Sequence, residues 1–155
     1  MQQDQITGYS EKLQIEKRYV TVTTKETLLE MVEAIEEASR ISLDTETTSL
    51  NPRKGKIIGF SITTKIGTGF YLPTLKWNNY TQKLEELLIE GKSTHNIAVR
   101  VMKMLKGKKL ICHNASFDLR YIKNYYGVSL IEDLWVDTAL LVHTVQEEGA
   151  GMGVF

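Results

Sequence analysis

The run ISLDTETTSL at residues 41–50 constrains the fold more than any other stretch. Ile41 and Leu43 alternate with Ser42 and Asp44 as a half-buried strand does, and the β-branched residues keep the local preference extended. The same strand then runs on into Asp44 and Glu46, although burying an unpaired carboxylate is expensive. Local preference and position disagree, and such conflicts mark sites. Side chains at i and i+2 of a strand share a side, so Asp44 and Glu46 project together while Thr45 faces away.

Around this strand the periodicity changes twice. YVTVTT (19–24) reads as a strand, and TKETLLEMVEAIEEASR places Leu28, Leu29, Val32 and Ile35 on one helical face, with Thr23 and Glu26 as an expected capping box. After the 41–47 strand come the turn NPRKGK, the strand IIGFSITT, a turn at Gly67 to Gly69, and FYLP. Three strands joined by short turns form a meander. Beyond Pro73, YTQKLEELLIEG and HNIAVRVMKMLKG both carry apolar residues at helical spacing, and each ends at a glycine, Gly91 or Gly107. KLICHN reads as a short strand, ASFDLRYIKNYYG as a helix, and SLIEDLWVDTALLVHTV as a short strand with a helix beginning near Asp137. The expected class is α/β, a mixed sheet of an antiparallel meander plus parallel strands, flanked by helices. Residues 1–18 read as a polar arm and 19–155 as one domain. In an open sheet of this kind ligands bind at the carboxyl ends of the strands, where Asp44, Glu46 and the CHN segment fall.

Two carboxylates held side by side repel, and one takes up a proton unless a cation sits between them. Magnesium or manganese suits such a pair, using one or two carboxylates with waters and substrate phosphates. On its own, Asp-x-Glu is more simply an exposed strand end with two solvated acids. Asp118, in the first turn of the helix after LICHN, fits simple dipole complementation. Its position raises it, because the preceding strand is expected to lie beside 41–47 and bring this helix N-terminus near Asp44. Asn114 at the same junction is either a cap or an amide for a nucleotide.

Lys plus Arg equals Asp plus Glu, 19 of each, which argues against a protein that coats nucleic acid nonspecifically and leaves room for a local basic groove. Arg53, Lys54 and Lys56 in the turn, and Lys103, Lys106, Lys108 and Lys109 near a helix end, are either phosphate contacts or a solvated turn and a dipole-matched terminus. The single cysteine, Cys112, excludes an internal disulfide, and with His95 and His113 it lacks zinc-ligand spacing. Trp77 and Trp135 read as packing residues. No apolar run suggests a membrane span or signal core, so the cytoplasm of a bacterial or phage-infected cell is the expected location.

DTETTSL, GKIIGFSI, TGFYLP, HNASFDLRYI and VDTALLVHTV, in that order from Tyr19 to Val145, resemble the proofreading 3'-to-5' exonuclease domain of family A DNA polymerases, within the ribonuclease H-like fold. The resemblance implies a two-metal phosphodiesterase, using Mg2+ or Mn2+, that removes nucleotides from single-stranded or frayed 3' DNA ends. It implies metal ligands at Asp44 (bridging), Glu46 and Asp118, and substrate contacts at Thr45, Leu50 (a wedge against the terminal bases) and Asn114. The family's fourth acid, in a Tyr-x-x-x-Asp motif, has no counterpart after any of the seven tyrosines. His143 with Glu148 only loosely mimics the alternative His-x-x-x-x-Asp, and Asp137 is explained as a helix cap. With the glycine-rich EEGAGMGVF at its end, the chain is expected to lack the domain's last motif and to be weak or inactive at this length, completed by a polymerase module or a missing C-terminal segment. A noncatalytic 3'-end binder and an exoribonuclease of the same superfamily are the alternatives.

Overall fold

The computed structural model describes residues 17–146. The arm before Lys17, Glu148 and the glycine-rich tail lie outside the described residues. In chain order the elements are β1 (Arg18–Thr21), α1 (Lys25–Glu37), β2 (Arg40–Thr47), β3 (Ile57–Thr63), β4 (Thr68–Pro73), β5 (Leu75–Asn78) and β6 (Lys83–Glu86). There follow β7 (Leu88–Ile89), β8 (Lys92–Ser93), α2 (Thr94–Met104), β9 (Lys109–Cys112), α3 (Ala115–Tyr126), a 3-10 turn (Ile131–Asp133), β10 (Leu134–Asp137) and α4 (Thr138–Gln146).

Six strands form one mixed sheet in the order β1-β4-β3-β2-β9-β10. β2, β3 and β4 are the antiparallel meander read from the sequence, while β1 joins β4 in parallel and β9 pairs in parallel with both β2 and β10. The alternation along β2 decides which face is which. Ile41 and Leu43 are buried with Phe60, Ile62, Phe70 and Leu72, in one cluster with Met31 and Ile35 of α1, Val101 of α2 and Ile122 of α3. Arg40, Ser42, Asp44 and Glu46 point the other way and are exposed. A one-residue slip of β2 would exchange these sets, so burial of Ile41 and Leu43 is what turns the acids outward.

Two sequence expectations are corrected. The stretch 80–91 is not a helix; β5 and β6 form a hairpin and β7 and β8 a second one. Asn78 accepts from the N–H groups of Tyr80 and Thr81, Gln82 and Glu90 adopt φ of +52° and +48°, and Leu87 donates to Thr74 O, so turn chemistry overrides the helical spacing. The cap of α1 is Thr24 paired with Thr27, not Thr23 with Glu26: Thr27 N–H donates to Thr24 Oγ1 at 3.3 Å and Thr24 N–H to Thr27 Oγ1 at 3.1 Å. Lys108 Nζ donates to Glu36 O and Ala38 O at the end of α1, and Arg40 and Lys109 lie over the Trp135 ring, so these cations have structural partners.

Leu43→Ala removes a fully buried side chain from the strand that carries both acids. It is expected to lower unfolding stability by about 2–5 kcal/mol, read as a fall in the urea midpoint; an unchanged midpoint would contradict this assignment of faces.

Candidate active site

β2 outlasts its neighbour. The last pair between β2 and β9 is Ser42 with Ile111, β9 ends at Cys112, and the chain then turns into α3. The Thr45 N–H therefore has no strand to bond to on that side, and Asp118 takes the place. Asp118 Oδ1 accepts from Thr45 N–H at 3.0 Å and from Thr45 Oγ1 at 2.5 Å. Asp118 is only 2% exposed. Burial raises its pKa, the two Thr45 hydrogen bonds pull against that, and nearby Asp44 raises it further. The third acid is thus brought to the end of β2 beside Asp44, as the parallel pairing of β9 required. Thr45, expected at the substrate, turns both its N–H and its hydroxyl to Asp118.

Asn114 starts α3 in the left-handed region at φ 59° and ψ 53°, a conformation asparagine tolerates better than most residues, and its side chain does not cap the helix. Asp137 caps it from β10 instead. Its Oδ1 accepts from the N–H groups of Asn114 (3.0 Å) and Ala139 (2.9 Å), and its Oδ2 from Ala115 N–H (2.8 Å). Desolvation works to raise Asp137, but these backbone donors outweigh it and hold the pKa below the usual range. The expected cap of α4 is therefore also the clamp on the start of α3. Between these acids lies Cys112, whose thiol is pushed up to about 12 by burial and then by Asp118, Asp137 and Asp44. It stays protonated and is no nucleophile.

The β2–β3 loop is built to present Leu50, which is 88% exposed. Tyr121 of α3 donates its hydroxyl to Ser49 O and reaches Asn51 O at 3.2 Å, while Thr47 Oγ1 donates to Ser49 O and Asn51 Oδ1 accepts from Arg53 N–H. A Cβ on Gly55 would lie 2.0 Å from the Tyr121 hydroxyl, so only glycine lets the loop pass there. On the open face, Tyr71 of β4 leans across β3 toward Glu46. Its pKa is raised by burial and then by Glu46. Sequence reasoning missed both Tyr71 and the hold of Tyr121 on the loop. The alternation in GFYLP carried a signal for the face of Tyr71, but not the register that sets it opposite the acids.

A model of the DNA polymerase A type 3'-5' exonuclease domain matches residues 19–147. The chain belongs to this 3'-5' exonuclease family. DNA polymerase I of Borreliella burgdorferi is 33% identical over 110 residues, covering 69% of this chain and 11% of the polymerase, so the exonuclease domain spans a small part of that relative's length. Among solved structures, the EXO domain of Aedes aegypti Nibbler superposes with a TM-score of 0.58 at 11% identity, over 88% of this chain and 61% of that one, and shares the fold.

The donor set of the exonuclease domain fits a hard divalent cation in kind, with two exposed carboxylates on one strand face and a third beside the first. It is not a closed cage: among the described residues no three His, Cys, Asp or Glu side chains converge as a metal-holding group. His143 on α4 is exposed and adds no ligand to the acids. None of the described helices is long and apolar enough to cross a membrane.

An acid with a folded pKa above its unfolded value binds more protons folded than unfolded between the two, so stability falls as pH rises through that window. Asp118→Asn keeps an oxygen for Thr45 and carries no charge. In EDTA it is expected to exceed the native protein in stability at pH 7 and to lose that advantage below 3.8, the ordinary carboxyl value. Parallel urea midpoints for the two proteins across that pH range would contradict the burial argument.

Proposed function

We propose that this chain is a metal-dependent 3'-to-5' DNA exonuclease domain of the proofreading type, acting on single-stranded or frayed 3' ends. The observation that carries the reading is the joint projection of Asp44 and Glu46 from the carboxyl end of β2, with Asp118 fixed beside Asp44. Asp44 would be the ligand common to two Mg2+ or Mn2+ ions, Glu46 would hold the one that activates water, and Asp118 would serve the other. Bound there, the cations acidify that water and offset charge on the departing 3' oxygen.

The chain's own residues do the rest. Thr45 acts through Asp118, fixing one carboxylate oxygen with its N–H and hydroxyl. Leu50, held outward by the Tyr121-anchored loop, wedges against the terminal base, and Asn114 offers its amide to the terminal nucleotide. Splayed single-stranded ends suit such a site because bases must leave the duplex to stack on side chains. A polymerase module, of the kind present in the Borreliella relative, is the partner that would deliver mispaired ends.

The absence of a three-ligand cluster among the described residues favours a second reading, a module that binds 3' ends without cleaving them. One experiment separates the two. A 5'-labelled single-stranded oligonucleotide, as DNA and as RNA, is incubated with the protein and with Asp44→Ala under saturating Mn2+, and product length and retention of the strand are both followed. Stepwise shortening of the DNA, abolished in Asp44→Ala, is the expected result. Retention without shortening would establish the binding module, and preferential shortening of RNA would move the chain to the exoribonuclease branch.

A further inference from the structure

On the open face of the sheet, Asp44 pairs with Ser61 and Ser61 with Tyr71, so these three side chains stand in one row across β2, β3 and β4. In the next row Glu46 pairs with Gly59. Tyr71 does not stand upright in its own row but lies diagonally over Gly59, where a Cβ would meet its hydroxyl at 2.3 Å and its ring carbons at 2.5 and 2.8 Å. Directly opposed residues of neighbouring strands are separated by about 5 Å, so the phenol rests one strand away from the backbone of Glu46, within reach of that carboxylate. The missing side chain of Gly59 is what opens the passage. Any other residue there would push the phenol off the row that Glu46 occupies.

We propose that Tyr71 is a positioning residue of the hydrolytic site, its phenol donating to the Glu46 carboxylate oxygen turned away from the cation. This rests on the reading of Glu46 as a cation ligand. Among the described hydrogen bonds none joins the two side chains; in the proposed role the bond would form when Glu46 turns to a cation. Ligating carboxylates are held by such outer partners, and losing one costs about 10–100-fold in metal affinity.

The test uses Tyr71→Phe, which keeps the ring over Gly59 and removes only the hydroxyl, in the full chain. Mn2+ affinity is measured by electron paramagnetic resonance for the native protein, Asp44→Ala, Glu46→Gln, Tyr71→Phe and the Glu46→Gln/Tyr71→Phe pair, with thermal unfolding as a check on the fold. The expected result is about tenfold weaker Mn2+ binding in Tyr71→Phe at an unchanged melting temperature, and no further loss when the change is added to Glu46→Gln. Native affinity in Tyr71→Phe, with binding lost in Asp44→Ala, would overturn this role of Tyr71 and leave the proposed function standing. Native affinity in Asp44→Ala and Glu46→Gln would overturn both. Equal, additive losses in the pair would also overturn it, since Tyr71 would then act independently of Glu46.

Discussion

Because β9 stops two residues short of the α3 N-terminus while β2 continues to Thr47, a backbone N–H at Thr45 would be left without a partner inside the protein. The Asp118 carboxylate fills that gap, and most features of the site follow from it. A hydrogen bond to a charged acceptor contributes about 1.5–3 kcal/mol, and leaving a buried donor unpaired costs about 1–3 kcal/mol, so the pairing fixes α3 against β2. It also sets an acid in the protein interior next to Asp44. The cost of that burial appears in the raised pKa of Asp118, and the Cys112 thiol beside it is pushed up by its own burial first and then by the three carboxylates. A divalent cation relieves the same repulsion, which gives the arrangement a physical reason to bind one.

Two further supports act on the same corner. Asp137 reaches back from β10 to the first N–H groups of α3, so the helix that carries Asp118 starts at one place only. Tyr121, one turn further along α3, holds the β2–β3 loop by the carbonyls of Ser49 and Asn51, on either side of the exposed Leu50. One helix therefore positions the third carboxylate, the left-handed Asn114 and the loop that carries Leu50. Precision at sites of this type comes from such supporting contacts more than from the acids themselves.

Much of this was legible in the sequence because it rested on period. The alternation of Ile41, Leu43 and Thr45 assigned the faces of β2, and the apolar spacing of α1, α2 and α3 located three helices. The meander, the parallel β9 and the outward pair Asp44 and Glu46 followed. Period failed at residues 80–91, where Leu84, Leu87 and Leu88 sit at helical spacing but Asn78 folds the chain into a hairpin. It was also silent on anything that depends on register. The passage of Tyr71 over Gly59, the second task of Asp137 and the commitment of the Thr45 hydroxyl to Asp118 each join residues that no local pattern links.

The proposed function requires a divalent cation at the carboxyl edge of the sheet, beside Asp44, Glu46 and Asp118. The most direct measurement is paramagnetic broadening of amide resonances in the 15N-labelled protein by substoichiometric Mn2+. The expected result is that the amides of residues 44–47 and 113–118 broaden first and together, two segments far apart in sequence and joined at this corner of the fold. Broadening that begins elsewhere, for instance around Glu85 and Glu86 on the β5–β6 hairpin, or that spreads evenly over the surface acids, would contradict it.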